Sequence, residues 1–111
     1  ITDNRITTEI EAAHDRGVSV RIITDNDKAD DRGSDAERLA RHGIPLLVDR
    51  TDNHMHHKFT VFDGKRILTG SYNWTRSAAS SNEENIVVTD DSKLVASFAA
   101  EFERLWQQFS D

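Results

Sequence analysis

The sequence predicts an α/β fold, a mixed β-sheet flanked by helices, and three observations carry that prediction. In the first half, helical spacings of apolar residues alternate with β-rich runs, and each helix ends on a glycine. In the second half, two β-rich runs flank Asp63-Gly64, a strong short hairpin signal. The C-terminal stretch repeats apolar residues at i, i+3 and i+4, as a helix covering a sheet face requires.

Taken in order, Ile6, Ile10 and Ala13 follow Asp3 or Asn4 as a cap and precede Gly17, which predicts a helix over Arg5 to Arg16. Val18 to Thr24, with Val20, Ile22 and Ile23, reads as a mostly buried strand. Asp25 to Gly33 holds four aspartates and one glycine, a solvated loop without the Asp-x-Asp-x-Asp-Gly frame of a calcium site. Ser34-Asp35-Ala36-Glu37 has the form of a capping box, and the helix it opens passes through Leu39 and stops at Gly43. A second strand follows at Ile44 to Val48. Lys58 to Phe62 and Arg66 to Thr69 are the arms of the hairpin, Trp74 to Ser80 a short helix, and Asn85 to Thr89 another strand. Ser92 to Phe109 is a long helix with Leu94, Val95, Phe98, Phe102, Leu105, Trp106 and Phe109 on one stripe.

The 111 residues suffice for one domain, because a chain of this size buries roughly two-thirds of its unfolded surface. The absence of cysteine excludes disulfide scaffolds, cysteine-ligated zinc, iron–sulfur clusters and thiol nucleophiles. Apolar runs such as Ile44 to Val48 fall far below the ~20 residues of a membrane-spanning helix. A soluble domain is expected, and composition leaves its compartment open. Fourteen basic against 20 acidic residues give a net charge of −6, which argues against a broad basic face coating nucleic acid. A local cationic cleft is still allowed, because phosphodiester chemistry needs only a few cations at the scissile phosphate. The chain opens at Ile1 without a signal-peptide pattern, so its N-terminus is read as processed, cut or engineered.

Chemistry concentrates in His54-Met55-His56-His57-Lys58, in Gly70-Ser71-Tyr72-Asn73-Trp74 and in Asn82-Glu83-Glu84-Asn85. On an extended strand, side chains two apart share a face, so His56 and Lys58 converge on one phosphate while His57 points away. Ser71 and Asn73 repeat that spacing after Gly70, placing a hydroxyl and an amide together. Glu84 supplies a carboxylate, which an attacking imidazole needs on its other ring nitrogen to fix the tautomer.

At these residues the chain resembles the phospholipase D superfamily. His56-x-Lys58-x4-Asp63 fits its His-x-Lys-x4-Asp motif, and Gly70-Ser71-x-Asn73 with Glu84 fits its companion elements. The wording around them is most similar to the single-motif subgroup of bacterial endonucleases and mitochondrial, Zucchini-type cardiolipin hydrolases. Ile1 to Ile6 and Arg16 to Arg21 extend the likeness over nearly the whole chain. The resemblance implies one catalytic domain over residues 1–111 with an α/β/α sandwich, truncated of the strand and helix with which the family normally begins. It implies His56 as nucleophile through a covalent phosphohistidine, Lys58 and Asn73 on the phosphate oxygens, Ser71 in support and Glu84 orienting His56. Asp63, five residues beyond Lys58, is implied to be mainly architectural. It further implies no metal or other cofactor, and a homodimer that brings two copies of His56 across a two-fold axis. The family's cysteine-containing zinc insertion and membrane anchor are not carried over, since this sequence has neither.

The substrate expectation is nucleic acid, because Arg50, Arg66 and Arg76 stand near the motifs; a phosphodiester lipid such as cardiolipin, or a non-catalytic phosphate-binding module, is the alternative. His54, His56 and His57 also compose a candidate transition-metal cluster, in which His54 and His56 share a strand face but no third protein ligand joins them at fixed spacing. Trp74 reads as core rather than a base-stacking platform, and His14 and His42 as solvated helix residues. Ser71 lacks the Gly-x-Ser-x-Gly elbow of a serine hydrolase.

Overall fold

The computed structural model describes residues 1, 3–25, 35–51, 55–72, 74–75, 79–80 and 83–110. Asp3 is the N-cap of α1 (Asn4–Asp15), accepting from the Arg5 N–H at 3.0 Å while the Arg5 guanidinium closes on the same carboxylate. Thr7, fully buried one turn on, donates from Oγ1 to Asp35 at 2.6 Å, tying α1 to the start of α2 (Ala36–Arg41). The capping position of α2 is therefore Asp35, one residue later than the capping-box pattern predicts, and its carboxylate serves Thr7 instead of the helix's own N–H groups. Ser34 lies outside the described residues, as do positions 26–33 of the expected acidic loop.

Both helices stop by the same device. Gly17 and Gly43 take φ of +92° and +93°, and the next residue's N–H reaches back five positions, Val18 to the Ala13 carbonyl and Ile44 to that of Leu39. This is the Schellman arrangement, and only glycine adopts its left-handed turn without steric cost. It also delays the first strand. β1 spans Ile22–Asp25 instead of beginning at Val18, because its ladder starts where Pro45 offers a carbonyl to the Ile22 N–H and Leu46 pairs with Ile22. Val18, expected to be buried, is 45% exposed.

β1 and β2 (Leu46–Asp49) are parallel, as a helical crossover demands, and β3 (Phe59–Phe62), β4 (Arg66–Gly70) and β5 (Ile86–Thr89) form an antiparallel sheet. The mixed α/β composition agrees with the sequence, but among the described residues the strands divide into a two-stranded and a three-stranded sheet. Asp63 and Gly64 both have positive φ, and Lys65 N–H returns to the Phe62 carbonyl at 3.0 Å, the turn this dipeptide selects. Of the expected helix at Trp74 to Ser80, positions 76–78 lie outside the described residues; the Ala79 N–H bonds the Thr75 carbonyl.

Helix α3 (Ser92–Phe109) has the predicted bounds, with Asp91 capping Lys93 and Leu94 N–H groups. It packs on the face of β3 that carries Phe59, whose ring meets Phe98 and Phe102 edge-on at 5.2 and 6.5 Å. Val95 and Leu105 are buried, whereas Leu94 at the rim of the stripe is exposed. Arg21 joins β1 to this helix by pairing with Glu103 and lying 5.0 Å over the Phe102 ring. His42, expected to be merely solvated, stands between Glu11 and Asp15 with its ring nitrogens 3.4 and 2.8 Å from their oxygens, and His14 meets it edge-on. The reason is the close approach of α1 and α2, also bridged by Arg38 and Glu11. Among the described residues, no helix is long and apolar enough to cross a membrane.

Candidate active site

Antiparallel pairing decides which motif residues meet. β3 begins where β4 ends and β5 begins, because Phe59 pairs with Thr69 and Gly70 with Ile86. His56 and Lys58, just before β3, Ser71, just after β4, and Glu84, just before β5, therefore gather at one end of the sheet. Thr69 Oγ1 holds the Lys58 carbonyl at 3.2 Å. Ser71 N–H bonds the Asn85 carbonyl at 3.0 Å, the Asn85 N–H returns to Ser71 Oγ at 3.1 Å, and Ser71 Oγ donates to Glu84 at 3.3 Å.

Gly70 makes this closeness possible. At φ +153°, a Cβ there would sit 2.2 Å from the Asn85 carbonyl oxygen and 2.9 Å from Ile86 Cα, both backbone atoms. Only a residue without a side chain lets β4 and β5 approach so tightly beside Ser71.

Lys58 Nζ lies 3.1 Å from His56 Nδ1 and 2.9 Å from the His56 carbonyl oxygen, confirming that the two side chains share a face. An ammonium only donates, so in this geometry Nδ1 accepts and the ring proton resides on Nε2. The expected contact from Glu84 to His56 is not the one the structure forms: among the described residues, Glu84 bonds Ser71 and His56 bonds Lys58. Asp63 lies in the turn at the other end of β3, about 13 Å of strand away, where its positive φ fits a conformational role. Asn73 and His54 lie outside the described residues. Arg66 pairs with Phe62 at the turn end, so it does not flank the site, contrary to expectation, and Arg76 lies outside the described residues. Among the described residues, no group of three or more His, Asp or Glu side chains is placed to hold a metal.

A cavity of about 470 Å³ opens beside His56, lined by Asp49 and Thr51 after β2, by His57, and by Arg104 and Gln108 of α3. Asp49 is buried and accepts from both the Thr51 N–H and Thr51 Oγ1 at 2.9 and 2.6 Å. The sequence reading gives no role to Asp49, Thr51, Arg104 or Gln108. Asp49 had a readable signal, since it closes a parallel strand at its carboxyl end; Arg104 and Gln108 had none, being surface-type residues on a helix.

With this geometry in view, comparison with known proteins decides the family. Residues 1–106 match the family model described as cardiolipin synthase, PLD-like domain. The chain belongs to the phospholipase D-like family. It is 47% identical over 109 residues to the mitochondrial cardiolipin hydrolase of Chlamydomonas reinhardtii, covering 98% of this chain and 49% of that protein. Against the human mitochondrial cardiolipin hydrolase the identity is 42% over 101 residues, covering 91% and 40%. The chain thus spans about half the length of the curated relatives it matches. The crystal structure of Nuc from Salmonella typhimurium, a phospholipase D family member, superposes with a TM-score of 0.89 at 35% identity, covering 97% of this chain and 73% of that one. The α/β fold expected from the sequence is therefore that of the phospholipase D family.

Proposed function

We propose that this chain is a metal-independent phosphodiesterase, an endonuclease that cleaves nucleic-acid phosphodiester bonds through a phosphohistidine on His56. The observation that carries it is the convergence of His56 and Lys58, 3.1 Å apart, with the bonded Ser71–Glu84 pair at one sheet end, in a chain of the phospholipase D-like family. Attack by a ring nitrogen on phosphorus forms the N–P bond and expels the leaving oxygen; water then breaks the N–P bond and releases a phosphate monoester and free His56. For Nε2 to attack, its proton must move to Nδ1, so Lys58 exchanges Nδ1 for a phosphate oxygen as substrate arrives. There Lys58 and Asn73 stabilise the charge that develops on the non-bridging oxygens. Ser71 holds Glu84 at the site, ready to take the Nδ1 proton's hydrogen bond once Lys58 has left. The leaving oxygen takes its proton from a protonated His56 of a second copy across a two-fold axis, and that ring takes a proton back from the water that attacks the N–P bond, so sedimentation at twice the monomer mass is expected.

A phosphodiester lipid is the second reading. It is favoured by the exposed Ile86, Val87 and Val88 that begin next to Glu84, each 52–54% exposed, and by the names of the curated relatives. Arg104 and the exposed Arg50 near the cavity favour nucleic acid. The deciding experiment offers a labelled single-stranded oligonucleotide and, separately, cardiolipin vesicles to the protein in excess EDTA, with His56→Asn in parallel. Oligonucleotide cleavage that survives EDTA and vanishes in the variant supports the first reading; cleavage of lipid alone transfers the same chemistry to the second. Retention of cleavage by His56→Asn would remove the nucleophile from both.

A further inference from the structure

The segment Met55–Lys58 precedes β3, so the residues that bear the chemistry lie beyond the end of the ladder that orders the sheet. His57 stands between the two. Its ring meets Phe59 edge-on at 5.4 Å, and Phe59 in turn meets Phe98 on α3. Its Nε2 lies 3.4 Å from Glu101 Oε1 on the same helix. Glu101 is itself held by Arg104, with guanidinium contacts of 3.0 and 2.6 Å, and Arg104 is bonded to Gln108 at 3.2 Å. Arg104 first, then His57, holds the Glu101 carboxyl below the usual carboxylate range, so the partner of His57 is an anion at neutral pH. His56, His57, Arg104 and Gln108 all line the same cavity.

We propose that His57 and Glu101, backed by Arg104, act as a clamp that ties the catalytic segment to α3 and thereby positions His56 and Lys58 on the phosphate. His57 is a positioning residue in this role. Its side chain leaves the chain on the side opposite His56 and Lys58, so fixing it fixes the backbone between them. A half-exposed contact of this kind adds little to global stability, and its effect is therefore to be sought in turnover rather than in melting. The charged and titratable groups around His57 are Glu101 and Arg104 from α3, and His56 and Lys58 on its own segment. The clamp's effect on turnover rests on the phosphodiesterase reading; its effect on His56 does not.

The test uses His57→Ala, Glu101→Ala, the double alanine variant and the reversed pair His57→Glu with Glu101→His. Turnover of bis(p-nitrophenyl) phosphate is measured with the NMR signals of the His56 ring at fixed pH. Each single variant is expected to lower kcat about 10-fold with KM within 2-fold and Tm nearly unchanged, since small displacements of reacting groups cost that much. The double alanine variant falls no further than the worse single, and the reversed pair recovers at least half of kcat. The His56 ring signals move in both single variants and return in the reversed pair. Losses that multiply in the double variant, or His56 signals that stay in place, would overturn the clamp. If the wild-type protein leaves the probe uncleaved, the phosphodiesterase reading falls, and the His56 signals alone decide whether the clamp exists.

Discussion

Replacing Gly70 by alanine tests how closely β4 and β5 must approach to assemble the site. The added Cβ would lie 2.2 Å from the Asn85 carbonyl oxygen and 3.0 Å from its carbon, and neither is the end of a flexible side chain. Overpacking of this kind costs about 1–3 kcal/mol, and holding a non-glycine residue at φ +153° costs about 1–3 kcal/mol more. Relief by separating the strands would sacrifice the Ser71 N–H bond to Asn85 and the Asn85 N–H bond to Ser71 Oγ, each worth about 1 kcal/mol. A loss of about 4 kcal/mol is expected, a large part of the stability of a domain this size, with Tm falling by ~15 °C. Gly64→Ala is the control. Gly64 has φ +65° and nothing within 4 Å of a Cβ, so it carries only the left-handed penalty of about 1 kcal/mol. Urea unfolding followed by circular dichroism measures both. Equal losses at the two positions would refute the argument that close strand approach, rather than backbone conformation alone, requires Gly70. Residual folded Gly70→Ala protein should also turn over poorly, because Ser71 and Glu84 shift together.

Two further predictions follow from the site and the helix pair. Lys58→Ala is expected to lower kcat on bis(p-nitrophenyl) phosphate by about 10²–10³, the usual cost of removing one charge-stabilising donor; a loss below tenfold would take Lys58 off the phosphate. Glu11 bears on acid stability. Its hydrogen bond from Arg38, foremost, holds its carboxyl below the ordinary 4.5, so its contribution is complete above that value and is lost as pH falls below it. Glu11→Gln should therefore be less stable at neutral pH and lose less stability than wild type between pH ~5 and ~3. Urea midpoints across that range check it, and parallel curves for the two proteins would contradict the assignment.

Local rules made much of this protein readable from its sequence. Gly17 and Gly43 mark helix ends because a left-handed C-cap excludes other residues; Asp63-Gly64 marks a hairpin for the same reason. The stripe from Leu94 to Phe109 announces α3 because burying one helical face is a periodic demand. The pairing of His56 with Lys58 was legible too, since a spacing of two decides the face of an extended segment. What the sequence could not show is anything that depends on which elements become neighbours. The start of β1 depends on where β2 offers its first carbonyl, and the partner of Glu84 on the register that brings Asn85 back to Ser71. His57 reads as a residue turned away from the chemistry until α3 supplies Glu101 and Arg104 from more than forty positions along the chain. Spacing along a chain determines direction, but contact between distant residues is decided only by packing, and in this protein packing joins His57, between His56 and Lys58, to Glu101 of α3.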